Sequence, residues 1–268
     1  MLSIISLNAW GGRLHGPLMD FLATIDADIL CLQEVTRTTG ATSPWLVYRD
    51  TGIALPQRAD LFGEIAALLP GHDGIFMPAS RGELTDGDRV VLSEFGLATF
   101  VRKSLPLVGQ AQGFVHGVFS ADGWGEHPRA RNAHVIRLHS YADDFTVTIA
   151  QMHGLRDPAG KHDTPERVAQ VEALARLIGQ VRPEGERLVV CGDFNVLPES
   201  VTFERLAALG LADLVTSGGH QDTRTSWYEK PGRFADYLLA SPEVRVAAFD
   251  VIEAPEVSDH RPLRLVFA

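Results

Sequence analysis

The chain has 268 residues, with 24 lysines and arginines against 34 aspartates and glutamates, a net charge of −10 and a pI near 5.4. This balance excludes a protein that grips duplex nucleic acid mainly by neutralising its phosphates, so no extended duplex DNA track is expected. The length suffices for a sizeable core in a single domain spanning residues 1–268, and no apolar run approaches the roughly 18 residues of a membrane span, so a cytoplasmic protein is expected.

Leu2 to Leu7 reads as a strand with Asn8 at its end, and Trp10-Gly11-Gly12 turns the chain. Leu18, Phe21, Leu22 and Ile25 have helical spacing within Pro17 to Ile25. Asp28 to Glu34 is a second apolar strand with a carboxylate at its tip. Strand, helix, strand is the opening of an α/β unit, in which ligands gather at the ends of strands. Thr36 to Arg58, polar and broken by Pro44 and Pro56, predicts a loop; Asp60 to Leu69 a helix; His72 to Pro78 a strand; and Ser80 to Arg89, charged and without apolar period, a mobile surface loop. Glu94 to Arg102, Ala111 to Val118, Ala130 to Leu138 and Phe145 to Met152 read as successive strands, which favours antiparallel pairing and mixed sheets.

His153 follows the last of these strands directly. Thr164 as N-cap and Pro165 in the first turn open a helix to about Gln180, with Val168, Val171, Leu174, Ala175 and Ile178 as its stripe. Leu188-Val-Val-Cys is an apolar run that ends in Gly192, Asp193, Phe194 and Asn195. On an extended segment Asp193 and Asn195 point the same way, so both can address one water, phosphate or metal ion. Val201 to Leu209 predicts a short helix, Phe234 to Leu239 a strand containing Asp236, Val244 to Ile252 another strand, and Ser258-Asp259-His260 precedes a closing strand, Pro262 to Phe267. Cys31 and Cys191 each lie in an apolar run and read as small buried hydrophobes, not a disulfide.

Asn8, Glu34, His153, Asp193, Asn195, Asp236, Asp259 and His260 thus all stand at or near strand ends. Carboxylates and amides without cysteine or clustered-histidine spacing suit a hard cation, magnesium or manganese, better than zinc. Two histidines beside carboxylates add groups that exchange protons near neutrality. Together these describe hydrolysis of a phosphate ester.

In this order the motifs "SLNAW", "LCLQEV", "MHG", "CGDFN", "ADYLLAS" and "SDHRPL" resemble those of the endonuclease/exonuclease/phosphatase superfamily, over residues 3 to 265. The resemblance implies the fold of deoxyribonuclease I: a four-layer αββα sandwich, two mixed β-sheets face to face with helices outside. It implies that Glu34 is the principal metal ligand, assisted by Asn8, with Asp259 at the metal or just behind its ligands. Asp193 would orient or deprotonate the attacking water, and Asn195 would hold a phosphate oxygen. His260, paired with Asp236, would stabilise the transferring phosphoryl group or act as acid, and His153 matches a further histidine of several branches. Because Asp236 comes from another strand, it is expected to favour protonated His260. Glu94 is a weaker match to a histidine-orienting acid, against a plain surface charge. Arg131 is a weaker match to a phosphate-binding arginine, with Arg129 as rival. Phe234 and Ala235 stand where many members carry an arginine and an apolar residue, which weakens any borrowing of substrate contacts. The expected activity is a metal-dependent phosphodiesterase or nuclease for short or single-stranded nucleic acid, with a phosphomonoesterase for a small metabolite or phosphoinositide as the alternative. A noncatalytic binding protein on the same fold would have lost a catalytic group, and none is lost. Trp45, Tyr48, Trp124, Trp227 and Tyr228, in loops, are candidates to stack on a base or sugar.

Overall fold

A computed structural model describes residues 1–50 and 52–268; Thr51, within the segment predicted as loop 36–58, lies outside the described residues. The strands are β1 (Leu2–Asn8), β2 (Ile29–Arg37), β3 (Trp45–Asp50), β4 (Ile53–Arg58), β5 (His72–Asp86), β6 (Arg89–Arg102), β7 (Leu107–His116), β8 (Arg131–Ser140), β9 (Phe145–His153), β10 (Arg187–Asp193), β11 (Ala212–Asp213), β12 (Asp236–Ala240), β13 (Val246–Val251) and β14 (Leu263–Phe267). The helices are α1 (His15–Thr24), α2 (Leu61–Leu68), α3 (Pro165–Val181), α4 (Val201–Ala207) and α5 (Leu214–Ser217). An eight-stranded sheet runs β13-β14-β1-β2-β6-β5-β3-β4, and a six-stranded sheet runs β11-β12-β10-β9-β8-β7.

Each sheet has one parallel pair at its centre, β1 with β2 and β9 with β10, and antiparallel neighbours around it. α1 and α3 are the crossovers that such parallel pairs need. The continuous apolar runs follow from burial on both faces. In β1, Leu2 and Ile4 face the core between the sheets while Ile5 and Leu7 face α1 and α2; in β2, Ile29 and Cys31 alternate with Leu30 and Leu32 in the same way. α3 covers the other sheet with Val171, Leu174 and Ile178, capped by Thr164, whose side chain accepts from Arg167 N, with Pro165 in the first turn. The result is four layers: helices, sheet, sheet, helices. Cys31 and Cys191 meet as free thiols between the sheets, and their contact with burial pushes the Cys31 thiol upward.

Two segments differ from expectation. Residues 36–58 contain the hairpin β3–β4, an outer edge on which Pro56 is tolerated because it owes no ladder bond to a further strand. Residues 80–89 are no mobile loop but the distal half of a long hairpin in which Ser80 to Asp86 pair with Phe95 to Arg89. Its stability comes from the segment 119–130, which folds over it: Arg81 N donates to Ser120 O, and Trp124 Nε1 donates to Glu83 O. Gly82 is required there, because a Cβ would stand 2.3 Å from the Trp124 ring.

Candidate active site

The two parallel pairs end at the same edge of the molecule. Asn8 closes β1, and its Nδ2 donates across the sheets to Asp193 Oδ2 at 3.0 Å. Its Oδ1 accepts from Trp10 N at 3.0 Å, and its carbonyl accepts from Ser258 Oγ at 2.6 Å. Glu34 does not end its strand, as the sequence suggested; β2 runs on to Arg37, but its ladder to β6 is interrupted between Leu32 and Val35. Glu34 sits in that break at φ +55°, a left-handed conformation that costs about 1–3 kcal/mol in a residue with a Cβ. The break delivers its carboxylate to a cavity of about 890 Å³.

On the other sheet, Asp193 pairs in register with His153 on one side and Asp236 on the other, so three functional side chains stand in one row. Gly192 makes this row possible: its φ is +134° and a Cβ would lie 2.1 Å from Met152 O. Asp193 Oδ1 accepts from Asn195 N at 3.0 Å. Around Asp193 Oδ2 lie Asn8 Nδ2, His153 Nε2 at 3.8 Å and His260 Nε2 at 3.7 Å. His153 Nε2 is also 3.8 Å from Glu34 Oε1. Asn195, left-handed at φ +54°, reaches Gly154 O with Nδ2 at 3.3 Å and lines the cavity.

His260 Nδ1 donates to Asp236 Oδ1 and Oδ2 at 2.9 and 2.8 Å. Its Nε2 accepts from Arg224 Nη1, which fixes the neutral tautomer protonated on Nδ1. Against the expectation of an imidazolium held by Asp236, burial and the Arg224 charge push the His260 pKa down to about 4. Burial also raises Asp236, to about 7 against the pull of Arg224, and raises Glu34 and Asp259. His153 is held well below the usual histidine value by burial and by the nearby Arg131 and His260.

The two weaker matches differ in where they stand. Glu94 does not approach a histidine: it pairs across β2–β6 with Arg37, whose Nε donates to Glu94 Oε2 at 2.8 Å. Strand alternation gives that face to its neighbour Phe95, whose ring lies 6.5 Å from the His153 ring. Arg131 is beside the site, with Nε donating to Gly154 O and Nη1 to Ala130 O, and burial lowers its pKa to about 10 against the pull of Glu34 and Asp193. Arg129 is engaged with Tyr48 and Asp50. Of the loop aromatics, Trp227 and Tyr228 line the cavity, whereas Trp124 is buried under the β5–β6 hairpin.

Sequence reasoning missed Arg224, Arg13, Arg156 and Lys161, which line the cavity, and Trp10 beside Trp227 with ring centroids 6.2 Å apart. Lys161 Nζ donates to the carbonyls of Gly232 and Phe234, and burial lowers its pKa to about 8. The buried Arg167 ties the cavity-lining segment to α3 through the carbonyls of Leu155, Gly160 and His162. Arg13, Arg156 and Lys161 come shortly after the strand ends at Asn8 and His153, whereas Arg224 comes from the segment before β12.

Asp193, Asp236 and His260 bring one ligand-type atom each within 4.8 Å of one another, a group that could hold a metal ion. Its donors are already engaged, however, His260 with Asp236 and Asp193 with Asn8. Glu34 and Asp259 are wetter, at 25% and 14% side-chain exposure, and offer the all-oxygen chemistry of a hard cation that keeps waters.

The chain belongs to the endonuclease/exonuclease/phosphatase family, whose model matches residues 5–260. Among solved structures, it is similar to a mannosyl-6-phosphatase of Bacteroides thetaiotaomicron, at 15% identity and TM-score 0.69 over 100% of both chains. It is likewise similar to the human Nocturnin catalytic domain, at 20% identity and TM-score 0.68 over 100% of this chain and 94% of that one. A third similar structure is a humanized TDP2 of D. rerio, at 17% identity and TM-score 0.64 over 100% and 98%. These likenesses show the fold, with its two mixed sheets. No curated protein matches. No helix among the described residues is long and apolar enough to cross a membrane.

Proposed function

We propose that the protein is a hydrolase of phosphate esters that uses Mg²⁺ or Mn²⁺ and takes a small substrate, a monoester or short diester, into its cavity. The observation that carries this reading is the row His153, Asp193, Asp236 closed by Asn8 and His260 at the floor of a cavity of about 890 Å³. That volume lies in the range of small-ligand sites. Residues from the segments 156–162 and 227–232 line it.

Glu34, Asn8 and Asp259 would hold the cation, which supplies withdrawal of charge from a phosphoryl oxygen. Asp193, its carboxylate fixed by Asn8 and by Asn195 N, takes a proton from the attacking water. The water oxygen bonds to phosphorus as the ester P–O bond breaks, and the departing oxygen leaves with a proton from solvent or from a neighbouring acid. His153 and His260 flank Asp193 and bound the water's position, and Asn195 holds a phosphoryl oxygen. A second reading, removal of a terminal nucleotide from a short single strand, is favoured by the Trp10–Trp227 pair, whose Trp227 is 54% exposed beside the cavity.

The test is turnover with Mg²⁺ or Mn²⁺ on p-nitrophenyl phosphate, bis-p-nitrophenyl phosphate, sugar phosphates and single- and double-stranded oligonucleotides. Small esters should exceed oligonucleotides in kcat/KM by at least about tenfold. A preference for single strands selects the second reading. Turnover on none of them overturns both.

A further inference from the structure

Arg224 lies in the segment 217–232, which the sequence reading left without a role, yet it is 5% exposed and lines the cavity. Its side-chain hydrogen bonds come from Nη1, to Asp259 Oδ2 at 3.1 Å and to His260 Nε2, while Nε is buried without a partner. The Tyr228 ring covers the guanidinium at 4.3 Å. The backbone bridge of Arg224 to His260 and the bonds from Arg233 to the carbonyls of Arg224 and Thr225 fix the base of the side chain.

Five N–H donors are thus brought to the reacting edge and mostly left unused. Burying a guanidinium is costly unless its donors are satisfied, and of its two partners at Nη1 one, Asp259 Oδ2, is anionic while the other is an imidazole nitrogen, a weaker acceptor than an anionic oxygen. An imidazole that accepts on Nε2 and donates Nδ1–H to Asp236 has no N–H left for a phosphoryl group. Of this pair it is therefore Arg224 that has N–H groups to offer a phosphoryl group. Its planar fork matches two oxygens of one phosphoryl group.

We propose that Arg224 is a catalytic residue that binds two nonbridging phosphoryl oxygens of the substrate and stabilises the charge on them as the P–O bond breaks, exchanging its contact with His260 Nε2 for the phosphoryl group. This rests on the phosphoesterase reading of the site. Asp259 and Tyr228 hold the guanidinium in place, so substrate arrival requires only a change of acceptor and no movement of the chain.

The experiment compares wild type, Arg224→Lys and Arg224→Ala, each with saturating Mg²⁺, in turnover and in calorimetric titration with inorganic phosphate. Arg224→Ala should lose about 10²- to 10³-fold in kcat, the usual cost of removing a preorganised donor, with a smaller change in KM. Arg224→Lys, which keeps the charge but not the fork, should lose at least about tenfold. Phosphate should bind at least about tenfold more weakly to both variants. Guanidinium chloride at low millimolar concentration should restore turnover to Arg224→Ala and do nothing for wild type. If Arg224→Ala does not fold, the phosphate affinity of Arg224→Lys decides. Unchanged phosphate affinity in the folded variants, absence of phosphate binding to wild type, or retention of more than about a tenth of turnover by Arg224→Ala overturns the proposal. If wild type binds phosphate through Arg224 but hydrolyses no ester, the phosphoesterase reading fails while the binding role stands.

Discussion

Two buried polar regions lie between the sheets, and they are built on opposite terms. In the middle of the interface Gln33 Nε2 donates to Gln151 Oε1 at 3.0 Å, Gln151 Nε2 donates to Thr99 Oγ1 at 2.7 Å, and the Thr99 hydroxyl meets His134 Nδ1 at 2.8 Å. Every member is neutral, and burial keeps His134 so by lowering its pKa to about 4. At the edge stand Glu34, Asp193, Asp236 and Asp259 with Arg131 and Arg224, and the charges do not close on one another: burial raises three of the four carboxyls. The neutral chain ties the two sheets together across their interface, leaving Gln33 Oε1 as a buried acceptor without a partner. A cluster of buried carboxyls and cations with raised carboxyl pKa values is what a binding or catalytic site needs, and that difference supports reading the second region as the functional one.

If this contrast is right, substitutions at the edge should affect turnover far more than stability. The largest effect is expected at Asp193, around which Asn8, His153 and His260 converge. Asp193→Asn should lower kcat by about 10²- to 10⁴-fold, the range of a lost general base, with thermal melting little changed. His260→Ala should lower kcat less than Asp193→Asn, since it removes the acceptor that positions Arg224 Nη1 and one flank of Asp193, and Asp236→Asn less again, since it disturbs only the orientation of His260. Steady-state kinetics on the best substrate of the screen decides; retention of more than about a tenth of turnover by Asp193→Asn would remove it from the chemical step.

Next comes Glu34. Glu34→Gln preserves shape and removes one charge, and should weaken Mg²⁺ binding by at least an order of magnitude in calorimetric titration. Equal affinities would move the cation to the Asp193, Asp236 and His260 group.

The edge was legible in the sequence because it is made of strand ends, where an apolar run stops abruptly at a polar residue. Asn8, His153 and Asp193 are such stops, Asp236 opens the antiparallel strand β12, and the register of β9, β10 and β12 aligns the last three. Glu34 was placed correctly as a tip though its strand continues, because the left-handed break imitates a strand end. Arg224 and Lys161 were not legible. They come from segments without period, held by contacts to backbone carbonyls and to distant side chains that no local pattern encodes. The hairpin 80–94 was missed for a related reason: its distal half is buried by Trp124, some thirty residues further on, not by an alternating face of its own.

The central network should respond the other way. Gln151→Leu leaves the Gln33 amide with Cys31 O but without its acceptor across the sheets, and Thr99 Oγ1 without its donor. A stability loss of about 1–3 kcal/mol by chemical denaturation is expected, with kcat of the folded protein within a few-fold of wild type. A large loss of kcat at unchanged stability would show that Gln33 transmits its position to Glu34.

The same network predicts an acid weakness. His134 takes up a proton near pH 4 in the folded chain but near 6.5 in the unfolded one. Between those values the unfolded chain binds more protons, so the stability is full above about pH 6.5 and falls as pH falls. At pH 5 the loss from this residue is about 2 kcal/mol. Asp236, raised to about 7, works in the opposite direction, gaining stability as pH falls from there. The His134 share is therefore read as the difference between wild type and His134→Gln at pH 7 and pH 5. No difference in their pH slopes would place a charged histidine in the core.

The smallest effect is expected at Glu94, and it separates position in sequence from position in the fold. Glu94 belongs to the strand that passes the site, and its neighbour Phe95 faces His153. Its own carboxylate points to the opposite face, where it pairs with Arg37, itself stacked on Phe76 at 4.5 Å. Both partners are partly solvated, at 26% and 37% side-chain exposure. Such a pair contributes about 0.2–1 kcal/mol, less at high salt. Glu94→Gln should therefore leave kcat and KM unchanged within about twofold, and lower stability by no more than that amount. A tenfold fall in kcat would return Glu94 to the role of orienting a histidine, and would require a change of rotamer and of face that the β2–β6 register forbids.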